Sequence, residues 1–149
     1  MSKFESADLI LKLYDLRREP TMRKARDWMF TFNPESAEEF EKTMMDPEVG
    51  GYLRMVLSYW EMAAALVNHG AIKASMFNDT VGEHISVFAK VEPLLAELRE
   101  KWDMPDAYGH LEKVIMDRKD GKERLRKTQE WLRSIQAGSD ETQTSEAAA

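Results

Sequence analysis

The fold is decided by one stretch, residues 47–69, which reads PEVGGYLRMVLSYWEMAAALVNH. Apolar residues recur in it at the three- and four-residue spacing of a single helix face: Leu53, Val56, Leu57, Trp60, Ala64 and Val67. Other apolar residues, Met55 and Met62 among them, widen this face well beyond one stripe. Such a helix is usually surrounded by others, so the stretch is predicted to be the central helix of a bundle.

The same helical periodicity continues on both sides of this stretch. Ser2 and Glu5 have the spacing of a capping box, in which each side chain binds the other residue's backbone N–H. Pro20 is expected to end the first helix, and Gly70 to end the central one. No strand-like alternation of useful length occurs. These patterns predict an all-α fold, a single-domain bundle of about five to seven helices.

Proline marks two further helix starts and one irregularity. In Asn33-Pro34 and Asp46-Pro47 a side-chain oxygen precedes a proline, which is tolerated at the first helical position because its missing N–H is not needed there. Helices are therefore expected to begin at these two prolines. Pro93 lies inside a helical pattern, where it removes one backbone hydrogen bond, so a kink is expected.

The last residues differ from the rest in composition. Beyond Gly138 the sequence SDETQTSEAAA is polar, small and without a pattern, which is typical of disorder. We therefore predict a helical domain over residues 1–136 and a disordered C-terminal tail over residues 137–149.

Composition excludes several classes of protein. The 149 residues contain no cysteine, which removes disulfides and thiolate metal sites. The start of the chain has no apolar signal core, and the apolar run 55–72 is interrupted by Glu61 and His69, so we expect a cytoplasmic protein without a membrane span. The net charge of −6 disfavours nucleic acid as a partner.

Motifs for cofactors and metals are missing from the sequence. It has neither the phosphate-binding loop G-x-x-x-x-G-K-[ST] nor G-x-G-x-x-G after a strand. Helical bundles often hold di-iron through Glu-x-x-His, but Leu66, Val81 and Ala107 precede the three histidines at that spacing. We predict no cofactor and no metal, and we assign no catalytic residue.

Glu61 is the polar residue of greatest interest. Its helical neighbours are mostly apolar, and an unpaired carboxylate in such a place is the kind of group that enzymes use as a general acid. The structural interpretation is a Glu61 carboxylate held by an arginine such as Arg54 or Arg99. His84 and His110 could share a site with Glu61 only if the later helices pack back on the central one.

Spaced single residues also resemble a known family. They are Tyr59-Trp60-Glu61-Met62-Ala63, Gly70, Ile72, Pro93, Leu98-Arg99, Tyr108 and Leu111-Glu112. Over roughly residues 50–115 they resemble a family of small helical bacterial proteins that is classified only as a domain of unknown function. The resemblance implies a helical domain without a known activity. It makes Glu61, Arg99 and Glu112 the family-like polar positions, which could form one buried ion-pair network.

Three functions remain open at this point. The leading hypothesis is a non-catalytic interaction or scaffold domain that self-associates, as a dimer, through an apolar helix face. The alternative is a small-molecule binder or enzyme with a pocket around Glu61, using a buried polar cluster of Glu61, Arg99, Glu112, His84 and His110. The second alternative is weak nucleic-acid binding through the basic segment 118–133, in which interleaved acids favour ordinary ion pairs along the helix instead.

Overall fold

The predicted central helix is present and lies in the middle of the molecule. The computed structural model describes residues 2–148, and none of these is in a strand. The all-α prediction is therefore confirmed for this part of the chain. Its eight helices are α1 (Lys3–Arg17), α2 (Pro20–Thr31), α3 (Ala37–Met44), α4 (Gly50–Asn68), α5 (Ala74–Thr80), α6 (Glu83–Trp102), α7 (Gly109–Asp117) and α8 (Gly121–Ala148).

Helix α4 is buried because its neighbours cover it on several sides. It packs against α2, α3, α5 and α7, while α6 packs against α3, α7 and α8. The residues of the predicted apolar face, including Leu53, Leu57 and Trp60, are fully buried in one continuous core. Burial of each such side chain stabilises the fold by about 1.5–3 kcal/mol, so this face makes a large contribution to the stability of the bundle.

Three of the predicted helix boundaries are confirmed. Ser2 and Glu5 form the capping box at the start of α1, with both reciprocal hydrogen bonds present. Pro20 is the first residue of α2, and the Glu19 side chain accepts the free N–H groups of Thr21 and Met22. Gly70 follows α4 with a left-handed backbone (φ 81°), as a C-terminal glycine stop requires.

The two starts predicted at proline are wrong. Helix α3 begins at Ala37, after Pro34, because Ser36 provides the cap by accepting the Glu39 N–H. Helix α4 begins at Gly50, because Asp46 accepts the N–H groups of Glu48 and Val49 in a separate turn. The helix count of five to seven is also too low, since short helices such as α3 and α5 are separate elements among the eight of the described residues.

The expected disordered tail is wrong as well. Helix α8 continues through Gly138 to Ala148, and the side chains of residues 137–148 are exposed to solvent. A glycine with an ordinary helical backbone costs only about 1 kcal/mol, and adding residues to an existing helix needs no new nucleus. The hydroxyl groups of Thr142 and Thr144 also donate hydrogen bonds to the carbonyls of Gly138 and Asp140. Polarity therefore indicated exposure here and did not indicate disorder.

No helix within residues 2–148 has both the length and the apolar character needed to cross a bilayer.

Candidate functional site

The connection between α6 and α7 has a left-handed backbone at both of its ends. It starts at Asp103 (φ 51°) and ends at Tyr108 (φ 55°), the two non-glycine residues with positive φ among residues 2–148. Aspartate tolerates this left-handed conformation, whereas tyrosine adopts it at a cost of about 1–2 kcal/mol. Backbone strain of this kind persists only where surrounding contacts fix it.

Arg99 supplies some of these contacts. Its Nε and Nη2 atoms both donate to the carbonyl oxygen of Ala107, at 3.0 and 2.9 Å. The same guanidinium pairs with the Glu112 carboxylate at 3.3 Å, and both side chains are partly buried. A planar guanidinium can bridge two acceptors at once. Arg99 therefore joins the connection 103–108 to the first turn of α7.

Glu61 holds the same region from the opposite side. Its two carboxylate oxygens accept the backbone N–H groups of His110 (2.8 Å) and Leu111 (3.0 Å). These residues occupy the second and third positions of α7, where a cap normally acts, and Tyr108 at the cap position provides no side-chain acceptor. Glu61 thus caps α7 from α4. Within residues 2–148 its carboxylate is not paired with an arginine, contrary to the structural interpretation from the sequence.

His110 belongs to this group mainly through its backbone. Its exposed imidazole Nδ1 lies 3.0 Å from the side-chain nitrogen of Asn68, which also donates to the His110 carbonyl. The His69 ring is a neighbour, with ring centroids 5.8 Å apart. Four of the five predicted site residues, Glu61, Arg99, Glu112 and His110, therefore meet at the start of α7.

His84 is not part of that group. It is 1% exposed and lies between the rings of Trp60 and Phe77, and neither of its ring nitrogens has a partner among the described residues. Burial, with a smaller contribution from the positive charge of Arg118, lowers the pKa of His84 to about 4. His84 is therefore a neutral core residue at neutral pH.

The wall held by Glu61 and Arg99 borders an open apolar groove. The groove has a volume of about 690 Å³ and lies between α4 and the 103–108 connection, with the end of α3 at one side. Its lining is mostly apolar, with three methionines and two aromatic residues: Met44, Leu57, Met62, Ala65, Trp102, Met104, Ala107 and Tyr108, together with Ser58, Arg54 and Glu61. We call this cavity the α4–α7 groove.

Most polar groups at the groove are already engaged. Glu61 is bound by α7, and the Trp102 indole N–H donates to Glu41, which also pairs with Lys101. Burial, and secondarily the Glu61 charge, raises the pKa of Tyr108 to about 12, so its phenol stays neutral. Arg54 differs from these groups: it donates one hydrogen bond to the Met44 carbonyl and has no carboxylate partner within residues 2–148.

The arrangement is suited to binding. A mostly apolar cavity of about 300–1,000 Å³ with a few placed polar groups is typical of small-molecule sites. A proton-transfer pair would need an acid or base free to react, and both Glu61 oxygens are already acceptors for α7. Within residues 2–148, no three histidine, aspartate or glutamate side chains are grouped so that they could hold a metal ion.

The basic segment 118–133 is only partly neutralised by acids near it in the sequence. Four of its seven basic residues, Arg118, Arg124, Arg126 and Lys127, pair with its three acids, Asp120, Glu123 and Glu130. The pairs within α8 are those that the interleaved acids predicted.

Sequence reasoning missed several residues that define the site. Met104 and Tyr108 form a groove wall, although no sequence pattern assigned them to a pocket. Lys90, which lies outside the groove, was also missed: it is buried and donates to the carbonyls of Met29 and Phe30 at the end of α2, at 2.6 and 3.0 Å. Pro105 was the one sequence signal for an irregular connection at this place.

Fold and groove together define an all-α bundle domain with one wall of an open apolar groove fixed by polar contacts. The chain belongs to the family described as a domain of unknown function, DUF4760, whose profile matches residues 3–119. The family resemblance found in the sequence is thereby confirmed, and it covers more of the chain than the stretch 50–115. Comparison with curated proteins gave no match, and comparison with solved structures gave none.

Proposed function

We propose that this domain is a non-catalytic binding module and that the α4–α7 groove binds a small, largely apolar molecule. The observation that carries the proposal is the groove of about 690 Å³ together with the polar residues that fix its wall. Glu61, Arg99 and Glu112 all support the wall, so the groove keeps its shape without an occupant. A pre-formed cavity reduces the entropic cost of binding.

The lining favours an apolar molecule. Met62 and Met104 are exposed although they border a concave surface, and methionine adapts its shape to different apolar partners. Trp102 and Tyr108 add flat aromatic surface to the wall. Transfer of apolar area into such a cavity contributes about 25 cal/mol per Å².

The non-catalytic part of the proposal follows from how the polar groups are used. Both carboxylate oxygens of Glu61 accept hydrogen bonds from α7, and His84 lies in the core between Trp60 and Phe77. The pocket around Glu61 that the sequence suggested therefore supports binding better than turnover.

The test uses 1-octanol as a neutral apolar probe. Isothermal titration calorimetry should detect saturable binding at one site, and the methyl resonances of Met62 and Met104 should shift during an NMR titration. Ala65→Phe, which fills the groove, should weaken binding at least about tenfold, equivalent to about 1.4 kcal/mol. Ala96→Phe on the exposed face of α6 is the matched control and should bind like the parent. Binding that is absent, or unaffected by Ala65→Phe, would overturn the proposal.

Self-association through α1 is a second candidate function, which a separate observation favours. Phe4 is 86% exposed and Leu11 is 64% exposed, and with Tyr14 they follow the seven- and three-residue spacing of a helix-pairing stripe. Lys3 borders one side of the stripe and Asp8 the other, which suits a parallel pair of identical helices. The stripe of Phe4, Leu11 and Tyr14 is therefore the surface that we propose for the dimer suggested by the sequence.

Light scattering during size-exclusion chromatography tests this face. The parent should be a dimer at micromolar concentration, and Leu11→Gln should convert it into a monomer. Lys24→Gln, which introduces the same side chain at an exposed position on α2, should leave the dimer intact. A parent protein that is monomeric at the highest accessible concentration would rule the α1 dimer out.

Two further expectations stay predictions from the sequence. One is a cytoplasmic location. The other is weak nucleic-acid binding through residues 118–133, which the ion pairs of Asp120 and Glu123 disfavour.

A further inference from the structure

We propose that the natural ligand of the α4–α7 groove is an anionic amphiphile, with an apolar body in the groove and a carboxylate or similar head group on Arg54. This inference rests on the proposed function, because it names the chemical class of molecule that the same groove takes. It is carried by the position of one cation, Arg54, in the lining of a mostly apolar cavity.

Arg54 is held in place for this role. Its Nη1 donates to the Met44 carbonyl at the end of α3, which fixes the guanidinium at the side of the groove. Nε and Nη2 make no hydrogen bond to another residue of the described chain, so two donors remain for a ligand. A guanidinium with adjacent free donors matches the geometry of a carboxylate.

The approach of α3 to Arg54 depends on Gly50. A Cβ atom at this position would lie 2.5 Å from the Met44 carbonyl oxygen and 3.0 Å from Nη1 of Arg54. Only glycine therefore allows the Met44 carbonyl to come close enough to hold the guanidinium. The arrangement of α3, Gly50 and Arg54 is specific, whereas an ordinary surface arginine is free to move.

The charges around the groove also favour an anion. The carboxylate of Glu61, the other charged residue of the lining, is offset by two backbone N–H groups and by the positive end of the α7 dipole. Lys101 and Glu41, next to Trp102, neutralise each other. Of the two charged residues that line the groove within the described chain, Arg54 is therefore the one without a compensating partner.

The experiment compares three eight-carbon probes that share an apolar chain. They are octanoate, 1-octanol and octyltrimethylammonium, each titrated into the full-length protein by calorimetry at low ionic strength. Octanoate should bind about three- to tenfold more tightly than octanol, as expected for a charge pair at a partly exposed site. Octyltrimethylammonium should bind most weakly, and added salt should reduce the affinity for octanoate only.

Two variants locate the effect. Arg54→Met keeps the apolar stem and should remove the preference for octanoate while leaving the affinity for octanol within about twofold. Arg23→Met makes the same change of net charge at an exposed position outside the groove and should keep the preference. Circular dichroism of each variant checks that the fold is retained.

The outcomes separate the two proposals. If octanol binds in the groove and octanoate shows no advantage, or if Arg54→Met keeps the advantage, the anionic head group is wrong and the binding function stands. If octyltrimethylammonium binds most tightly, the groove selects a cation and the inference is overturned. If no probe binds, the proposed function itself fails.

Discussion

The carboxylate of Glu61 on α4 lies 2.8 Å from the backbone nitrogen of His110 on α7, and this contact makes one helix the cap of another. A capping carboxylate satisfies N–H groups that otherwise lack a partner, and it also interacts favourably with the helix dipole. Because the cap comes from a different helix, it fixes the position of α7 relative to α4.

Replacement of Glu61 tests this structural role. Glu61→Ala leaves two N–H groups without their acceptor and should lower the free energy of unfolding by about 1–2 kcal/mol. Glu61→Gln keeps one acceptor oxygen but loses the charge, so about half of that loss is expected. Urea denaturation measures both, with the exposed Glu97→Gln as control. A Glu61→Gln protein of unchanged stability that had lost ligand binding would favour the functional interpretation of this residue.

Arg99 should not be replaceable by lysine. An ammonium group cannot donate twice to the Ala107 carbonyl and also pair with Glu112 as the guanidinium does. Arg99→Lys should cost about 1–2 kcal/mol and should speed hydrogen exchange of the amides between residues 103 and 110. Arg23→Lys at an exposed site should change neither quantity. Unchanged exchange in Arg99→Lys would show that the 103–108 connection is fixed by other contacts.

Acid should destabilise the protein through His84. Burial lowers the pKa of His84 to about 4 in the folded state, whereas an unfolded histidine has a pKa near 6.5. Between these values the unfolded chain binds the extra proton, so the free energy of unfolding should fall by about 3 kcal/mol as the pH drops from 6.5 to 4. His84→Met removes the titrating group, and its stability should be flatter across this window. Identical pH profiles for both proteins would refute the assignment.

The two neighbouring glycines at the start of α4 should respond oppositely to alanine. A Cβ at Gly50 would overlap the Met44 carbonyl, so Gly50→Ala should destabilise the protein by about 1–3 kcal/mol. A Cβ at Gly51 meets only Nη2 of Arg54 at 3.9 Å, and Gly51→Ala should stabilise the helix by about 0.5–1 kcal/mol. Thermal denaturation of both variants measures the two signs. Stabilisation by Gly50→Ala would mean that α3 and α4 are not in close contact.

Removal of residues 137–149 should have little effect on the core. The side chains of residues 137–148 are exposed to solvent. These residues extend the helical backbone of α8 without adding to the core. Truncation after Gln136 should therefore change the free energy of unfolding by less than about 0.5 kcal/mol. Far-ultraviolet circular dichroism should lose the signal of the removed helical residues. An unchanged total helical signal would show that this part of α8 does not form in solution.

Periodicity was sufficient to predict the fold class and its centre. The spacing of Leu53, Leu57 and Trp60 locates the buried face of α4 because a helix repeats every 3.6 residues whatever packs against it. Local chemistry also located Ser2 and Gly70, whose roles depend on a few adjacent backbone groups. Features determined within one or two turns of helix were therefore accessible from the sequence.

Competition between local signals was harder to judge. Pro34 and Ser36 both favour a helix start. Helix α3 begins after Ser36 because the serine hydroxyl accepts the Glu39 N–H, whereas proline has no side-chain acceptor. At the other end of the chain, a polar composition suggested disorder, although α8 could continue through Gly138 at small cost.

The site itself depends on contacts between distant parts of the chain. Glu61 was recognised as unusual, but its partners lie 49 and 50 residues away and are backbone atoms, which no side-chain pattern reveals. His84 was grouped with Glu61 on the condition that the later helices pack back on the central one. The packing of α5 and α6 places it beside Phe77 instead.

The position of Trp102 has a practical consequence. Its indole forms part of the groove wall while its N–H donates to Glu41 at 3.1 Å, and this hydrogen bond favours one orientation of the ring. Indole emission shifts to shorter wavelength when water is displaced from the ring. The domain therefore carries an intrinsic fluorescent reporter of groove occupancy, and the difference between the parent and Trp102→Phe would isolate its signal from that of the other three tryptophans.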